Sequence, residues 1–251
     1  MNVIQAFDYE QMSRLAAAYI IKQVRLNPSI VLGLATGGTP EGTYRQLIRD
    51  HKEFGTSYQK VKSINLDEYV GLSPHHPNSF RQFMNEHLFN HLDIQKEQTQ
   101  LPDGKASDFI QECKRYDILI ERSGGIDLQL LGIGENGHIG FNEPGTSFQT
   151  KTHIVNLTES TRKANARFFE NLSSVPEQAL TMGIQSILQS KRILLLASGN
   201  HKAEAIMKLI NGKVDEGFPA STLNLHNDVT LIADQAALSL VDRGKGAEHG
   251  R

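Results

Sequence analysis

The sequence predicts an α/β fold: a doubly wound, mostly parallel sheet with helices on both faces. Two observations carry this. Short runs rich in leucine and β-branched residues recur without polar alternation, as strands do when both faces of their sheet are covered. Between them lie longer stretches with helical apolar spacing, so strand and helix alternate along the chain. A chain of 251 residues is long enough to bury a large core. No linker, repeat or low-complexity block divides it, so one domain is expected over 1–241.

The elements follow in order. Asp8 is placed to cap a helix through YEQMSRLAAAYIIKQVR, which stops before Asn27-Pro28 because the residue ahead of a proline avoids the helical region. IVLGLA (30–35) reads as the first strand, and GTYRQLIRDH (42–51) as the next helix. VKSINL (61–66) is a strand, followed by helical patterns at 79–92 and 107–124. IDLQLLGIG (126–134) and KRILLLAS (191–198) are strands, then NHKAEAIMKLINGK (200–213) is a helix and DVTLIAD (228–234) a last strand. The final DRGKGAEHGR (242–251) has no apolar anchor and reads as a frayed, disordered tail.

Charge and composition exclude several classes of function. A net charge of −2 implies no nucleic-acid or anionic-membrane partner, so specificity must come from a local site for a small molecule. Cys113 is the only cysteine, which excludes an intrachain disulfide framework and fits a reducing cytoplasm. The N-terminal MNVIQAFDYEQMSR lacks the basic and apolar regions of a signal peptide. Its longest apolar runs are strand-length and too short to span a bilayer. A cytoplasmic location is therefore expected.

Three stretches carry chemistry. In IVLGLA-TGGTP-EGTYRQLI a strand runs through a tight loop into a helix. Gly37 and Gly38 let the backbone approach a ligand, and Pro40 suits the first helical position. Amides at the positive end of the helix would then meet a phosphate, aided by the Thr36 and Thr39 hydroxyls. No Lys-Ser/Thr pair closes the loop, so a nucleoside triphosphate loop is not supported. In the second stretch, VKSINL runs straight into Asp67-Glu68-Tyr69. Ligands of open α/β sheets sit beyond the carboxyl ends of the strands, where a screened carboxylate could act as a base on a carbon acid. Spacing alone leaves open whether Asp67 or Glu68 merely caps a turn.

The third stretch, LGIGENGHIGFNEPGTS, contains the literal G-x-G-x-x-G spacing of a dinucleotide fingerprint. That fingerprint requires a helix to start within the glycine run. Here Gly140, Pro144 and Gly145 follow within eight positions of Gly137, which excludes the helix and with it a nicotinamide or flavin cofactor. What remains is an irregular loop presenting Glu135, Asn136, His138, Asn142 and Glu143 at a strand end. His138 is the natural proton shuttle near neutral pH, and Glu143 could hold its tautomer. One His, one carboxylate and one amide make a poor metal site. His87 and His91 have the i, i+4 spacing of a zinc-binding helix face, but no third ligand supports a metal there. His75-His76-Pro77 reads first as a turn, and Cys113 as a small core residue.

TGGTPEGTY, NLDEYVGL, LGIGENGHIGFNEPG, ANARFF and SGNHKAEA, in this order, resemble the glucosamine-6-phosphate deaminase (isomerase) family from about Val3 to Leu240. The resemblance implies a modified Rossmann-like fold shared with sugar-phosphate isomerases and 6-phosphogluconolactonases. It implies conversion of glucosamine 6-phosphate and water to fructose 6-phosphate and ammonia, in amino-sugar catabolism, with neither metal nor organic cofactor. It further implies that His138, oriented by Glu143 and assisted by Asn136, moves the proton that opens the pyranose ring. Asp67 would then take the C2 proton and return one at C1, passing through an enolamine whose hydrolysis releases ammonia. Phosphate would lie on Thr36, Gly37, Gly38 and Thr39, with Arg167 and Lys202 closing over it. The segment from Pro144 to about Leu172 is the candidate lid.

Two departures from the family pattern matter. Some members carry Asp where this chain has Asn136, so His138 here depends on Glu143 alone for ionic support. Longer hexameric members bind N-acetylglucosamine 6-phosphate through an Arg and a Lys at positions that correspond to His153 and Val155 here. The expectation is a non-allosteric enzyme, a monomer or a simple self-associating species rather than an allosteric hexamer. The rival readings are a 6-phosphogluconolactonase and a sugar-phosphate-sensing regulator. The DEY segment together with NGHIGFNEPG favours the deaminase over the lactonase, and the chain has no room for a DNA-binding domain before VLGLATGG.

Overall fold

The computed structural model describes residues 1–166, 169 and 171–241. The strands are β1 Asn2–Ala6, β2 Val31–Leu34, β3 Lys62–Asn65, β4 Asp67–Tyr69, β5 Thr99–Gln100, β6 Leu128–Gly132, β7 His153–Asn156, β8 Gln178–Thr181, β9 Ile193–Ala197 and β10 Val229–Asp234. The α-helices are α1 Tyr9–Leu26, α2 Gly38–Phe54, α3 Phe80–His87, α4 Phe109–Arg122, α5 Glu159–Asn165, α6 Ile184–Leu188 and α7 Ala203–Asn211. Seven strands form one sheet in the order β1-β10-β9-β6-β2-β3-β5, and every neighbouring pair is parallel.

Register explains why the strand runs lack polar alternation. Val31, Ile64, Leu131, Leu195 and Leu231 face Tyr116 and Ile120 of α4 and Ile206 and Leu209 of α7. Their neighbours Leu32, Leu34, Leu130, Leu194 and Ile232 face Ile20 and Val24 of α1 and Tyr44 and Leu47 of α2. Both sets are buried, so each central strand contributes to two cores. At roughly 1.5–3 kcal/mol for each fully buried aliphatic or aromatic side chain, these two layers are the main source of stability.

A second, antiparallel sheet of order β4-β8-β7 lies at the carboxyl end of β3. Asp67 pairs with Thr181 there, and the Met182 amide donates to the Leu66 carbonyl at 2.7 Å. The short β4 follows β3 after one residue, so the chain changes sheets at Leu66 and leaves Asp67 at the junction.

Several elements differ from the sequence reading. Helix α2 starts at Gly38, four residues earlier than expected, which puts Pro40 at the third helical position rather than the first. Its place is still tolerated, because amides of the first turn have no intrahelical acceptor. Helix α3 ends at His87, and His91 lies in a separate 3₁₀ turn with Nε2 against the Glu86 carbonyl. The two histidines therefore do not share a helix face. Strands β1, β4, β5, β7 and β8 have no strand pattern in the sequence. They are edge or second-sheet strands of two to five residues, too short or too mixed to show a period. The expected tail at 242–251 lies outside the described residues.

Candidate active site

The seven-stranded sheet reverses its winding between β2 and β6, and the carboxyl ends of β2, β3, β6 and β9 open beside one another. Such a switch point leaves a crevice in an open α/β sheet. Here the crevice is a cavity of about 810 Å³, with Thr36 to Glu41, Asp67, Gly134 to Asn136, His138 and Lys202 on its wall.

The β2 end supplies a helix N-terminus of the kind that suits an anion. Gly37 occupies the N-cap of α2 with φ of 90°, and a side chain there would meet nothing within 4 Å on the cavity side. The amide end of α2 therefore faces open space, with Thr36, Gly38 and Thr39 beside it. The loop is braced from beneath. Tyr9 Oη donates to the Gly38 carbonyl at 2.9 Å and accepts from the Gly42 amide at 2.8 Å. Tyr44 Oη donates to the Ala35 carbonyl.

The β3 end resolves the ambiguity in the acidic pair. Glu68 is the capping residue: its carboxylate accepts from the amides of Tyr69, Phe80 and Arg81, each at 2.9 Å, and so holds the first turn of α3. Asp67 faces the cavity. Burial and the neighbouring Glu68 charge push Asp67 up to about 8, since desolvation and a like charge both disfavour the carboxylate.

The β6 end supplies the glycine loop. The Gly134 amide donates to the His138 carbonyl at 2.9 Å, closing a tight turn. Gly137 has φ of 86°, and a Cβ on it would lie 2.1 Å from the Phe218 ring. This glycine serves the turn and a close contact rather than a cofactor. His138 Nδ1 lies 2.8 Å from Asn136 Oδ1, and Asn136 Nδ2 donates to Glu143 Oε2 at 2.7 Å. Glu143 Oε2 is 3.8 Å from His138 Nδ1. Glu143 therefore reaches the imidazole through the Asn136 amide, which stands between them. Asn142 is buried, donating to the Ile139 and Met182 carbonyls, and shapes the loop.

Burial lowers the His138 pKa; Glu143 opposes that effect, Lys202 adds to it, and Glu135 opposes it. Near pH 7 the ring is accordingly neutral. Because an amide oxygen only accepts, Nδ1 carries the proton and Nε2 is the basic nitrogen.

The β9 end brings in Lys202, whose pKa is lowered by burial and raised by Glu135. Asp234 secures the turn that carries it, accepting from Ser198 Oγ at 2.5 Å and from the Gly199 amide at 3.1 Å. Arg167 lies outside the described residues. Among the described residues no group of three or more His, Cys, Asp and Glu is placed to hold a metal.

Some wall residues carry no signal in the sequence, and one, His87, carries only the metal-type spacing set aside above. Phe80, Phe83, Glu86 and His87 of α3 line the cavity, with His87 stacked on Phe83 at 4.3 Å between ring centroids. Thr161 of α5 also lines it, though nothing in its spacing from Glu143 marks it. Asp234 could have been found, because it ends a strand at the same sheet edge.

An open helix N-terminus, a buried carboxyl and a neutral histidine on one cavity wall have the form of a small-molecule enzyme site of the open α/β class. Residues 8–232 match the family model described as glucosamine-6-phosphate isomerases/6-phosphogluconolactonase, and the chain belongs to that family. It is 59% identical over 241 residues to a glucosamine-6-phosphate deaminase of Geobacillus sp. (strain WCH70), covering 96% of each chain. It is 55% identical to glucosamine-6-phosphate deaminase 1 of Bacillus subtilis (strain 168), covering 96% of this chain and 99% of that one. A solved structure of a monomeric glucosamine-6-phosphate deaminase superposes with a TM-score of 0.94 at 55% identity, over 96% of this chain and 100% of the other. The 6-phosphogluconolactonase of Trypanosoma cruzi shares the fold alone, with a TM-score of 0.78 at 18% identity, over 95% of this chain and 96% of that one.

Proposed function

We propose that this protein is a glucosamine-6-phosphate deaminase, converting glucosamine 6-phosphate and water to fructose 6-phosphate and ammonia. One observation carries the reading: a phosphate-type helix end and a pair of proton-transfer groups share a single cavity. The relatives at 55–59% identity over nearly the full chain support the same reaction.

In this reading the phosphate rests on the amide end of α2 between Thr36, Gly37, Gly38 and Thr39, with Lys202 and Arg167 supplying positive charge. His138 Nε2 takes the proton of the anomeric hydroxyl and returns it to the ring oxygen, which opens the pyranose to the aldehyde. Asn136 and Glu143 stabilise the imidazolium that forms between those transfers. Asp67 then removes the C2 proton, acidic because it lies beside a carbonyl, and the electron pair moves to give an enolamine. A proton returned at C1 makes the C2 imine. Water adds to that imine, and loss of ammonia leaves the ketone.

The raised pKa of Asp67 is compatible with this role. The substrate's C2 ammonium brings an opposite charge into the same desolvated space, which favours the carboxylate. Substrate binding thereby converts a resting acid into a base. No step requires a metal or an organic cofactor. A non-allosteric monomer is part of the proposal, supported by the likeness to a monomeric deaminase.

The test is ammonia release from glucosamine 6-phosphate by wild type and by Asp67→Asn. Wild type is expected to be active. The variant is expected to lose activity by at least about 10²–10⁴-fold, the usual worth of a positioned base, while still binding the substrate. Hydrolysis of 6-phosphogluconolactone with no ammonia release would overturn the reading in favour of the lactonase. Sugar-phosphate binding without turnover would favour the sensor.

A further inference from the structure

We propose that Thr161 is a positioning residue whose hydroxyl fixes the Glu143 carboxylate and, through Asn136, the tautomer of His138. The proposal deepens the function given above and rests on it.

Thr161 lies in α5, on the segment between β7 and β8. It is 6% exposed, and its Oγ1 is 2.5 Å from Glu143 Oε1. An ionised carboxylate only accepts, so the hydroxyl donates, and a bond of this charge-assisted kind is among the stronger ones. The role is not that of a helix cap, since Thr158 caps α5 by accepting from the Thr161 amide at 3.2 Å. Thr158 Oγ1 stands 3.0 Å from Thr161 Oγ1 and 3.4 Å from Glu143 Oε1, so the cap itself supports the contact.

The other carboxylate oxygen accepts from Asn136 Nδ2 at 2.7 Å. That bond turns the amide so that Oδ1 faces His138 Nδ1 at 2.8 Å. A flipped amide would set Nδ2 against the Nδ1 proton and Oδ1 against the carboxylate, two repulsions in place of two bonds. Each link therefore fixes the direction of the next, from Thr161 through Glu143 and Asn136 to His138. Glu143 and Thr161 are both buried and come from segments 18 residues apart, so the seat of α5 decides whether the carboxylate is held. An unheld Glu143 has rotamers that release Asn136, and the imidazole then loses its fixed basic Nε2.

Thr161→Val keeps the shape and removes the donor; Thr161→Ser keeps the donor. Valine is expected to lower kcat on glucosamine 6-phosphate about tenfold to a hundredfold, with KM little changed. Serine should restore most of the loss. In a Glu143→Gln background the same valine change should cost little more, because the coupling runs through that carboxylate. Nitrogen-15 NMR should show the Nδ1-protonated form of His138 losing population in the valine variant and recovering in the serine variant. Thr161→Ala replaces valine if the second methyl group disrupts the fold. An equal loss in both backgrounds, a loss confined to KM, or an unchanged His138 tautomer would overturn the proposal. Full activity of Glu143→Gln alone would instead overturn the role given to Glu143, and the Thr161 link with it.

Discussion

At the scale of single residues, Asp67 sets a conflict between stability and the proposed chemistry. Its carboxyl is pushed up from 3.8 to about 8 by burial and by Glu68. The folded state therefore holds the proton more tightly than the unfolded chain. As pH rises from about 4 towards 8 the unfolded chain ionises at this position and the folded one resists, so stability is lost across that window, by up to about 1.4 kcal/mol for each pH unit. Asp67→Asn removes the effect. Its melting temperature is expected to draw ahead of wild type progressively between pH 5 and pH 8, while turnover is lost; a gap that does not grow with pH would refute the account. A second prediction concerns Asn136. A carboxylate at this position, 2.7 Å from Glu143 Oε2, would leave two acidic groups too close for both to ionise, so the pair would hold a proton. The pair would keep a single negative charge, but that charge could sit on the side chain 2.8 Å from His138 Nδ1 rather than on Glu143 at 3.8 Å. Asn136→Asp is expected to raise the His138 titration midpoint in an NMR titration and to move a limb of the pH–rate profile; an unmoved midpoint would sink the idea. Roles of this kind were only partly legible in the sequence. Asp67 and Glu68 are adjacent, and their division into a cavity carboxyl and a helix cap depends on which way each side chain leaves a three-residue strand.

At the scale of elements, the central strands were readable because covered parallel strands must be apolar on both faces, as β2, β6, β9 and β10 are. Their order in the sheet is non-local, and so are the strand pairs β4–β8 and β7–β8, whose partners lie far apart in sequence. No local period encodes them. The glycine loops show how the same residue type serves different ends. Gly37 and Gly137 both have positive φ, near 90° and 86°, but a Cβ at Gly37 meets open space and one at Gly137 meets Phe218. Gly37, with φ of 90° and ψ of 177°, lies in a region that is nearly glycine's alone, and alanine at either position incurs about 1–3 kcal/mol of backbone strain. At Gly137 it adds an overpacking cost of about 1–3 kcal/mol. Urea unfolding should therefore rank Gly137→Ala as clearly less stable than Gly37→Ala. Phe218→Ala should recover part of the difference in the Gly137→Ala background. Gly37→Ala should instead show its main effect as a higher KM, because the added methyl group projects into the cavity where the phosphate is proposed to sit. Equal stability of the two variants would contradict the Phe218 contact.

At the scale of the whole molecule, the site exists because four strand ends converge at one switch point, and that convergence also bears on regulation. Strand β7 carries His153 and Val155, which the family resemblance would align with the effector-binding cations of longer hexameric members. His153 Nδ1 lies 3.0 Å from the Lys151 carbonyl, and burial lowers its pKa, so the ring stays neutral near pH 7 and offers no fixed charge to a phosphate. Val155 packs against the cluster of Tyr69, Phe141, Leu157 and Ala179. It therefore works as an apolar strut beneath the wall that holds Asp67, at a place where an effector site would need a lysine. In the proposed non-allosteric reading, a surface without those cations gives N-acetylglucosamine 6-phosphate no differential affinity for two global states, and a ligand shifts an equilibrium only by that difference. Hyperbolic kinetics in glucosamine 6-phosphate are expected, with a Hill coefficient of about 1 and no activation by N-acetylglucosamine 6-phosphate. Sedimentation should show a single species at the mass of one chain. Sigmoidal kinetics relieved by N-acetylglucosamine 6-phosphate would overturn the non-allosteric reading. The double variant His153→Arg with Val155→Lys then becomes the sharper probe: charge introduced under the Tyr69 wall should destabilise the fold without creating activation, because the partner surface of an allosteric assembly is not supplied by two side chains.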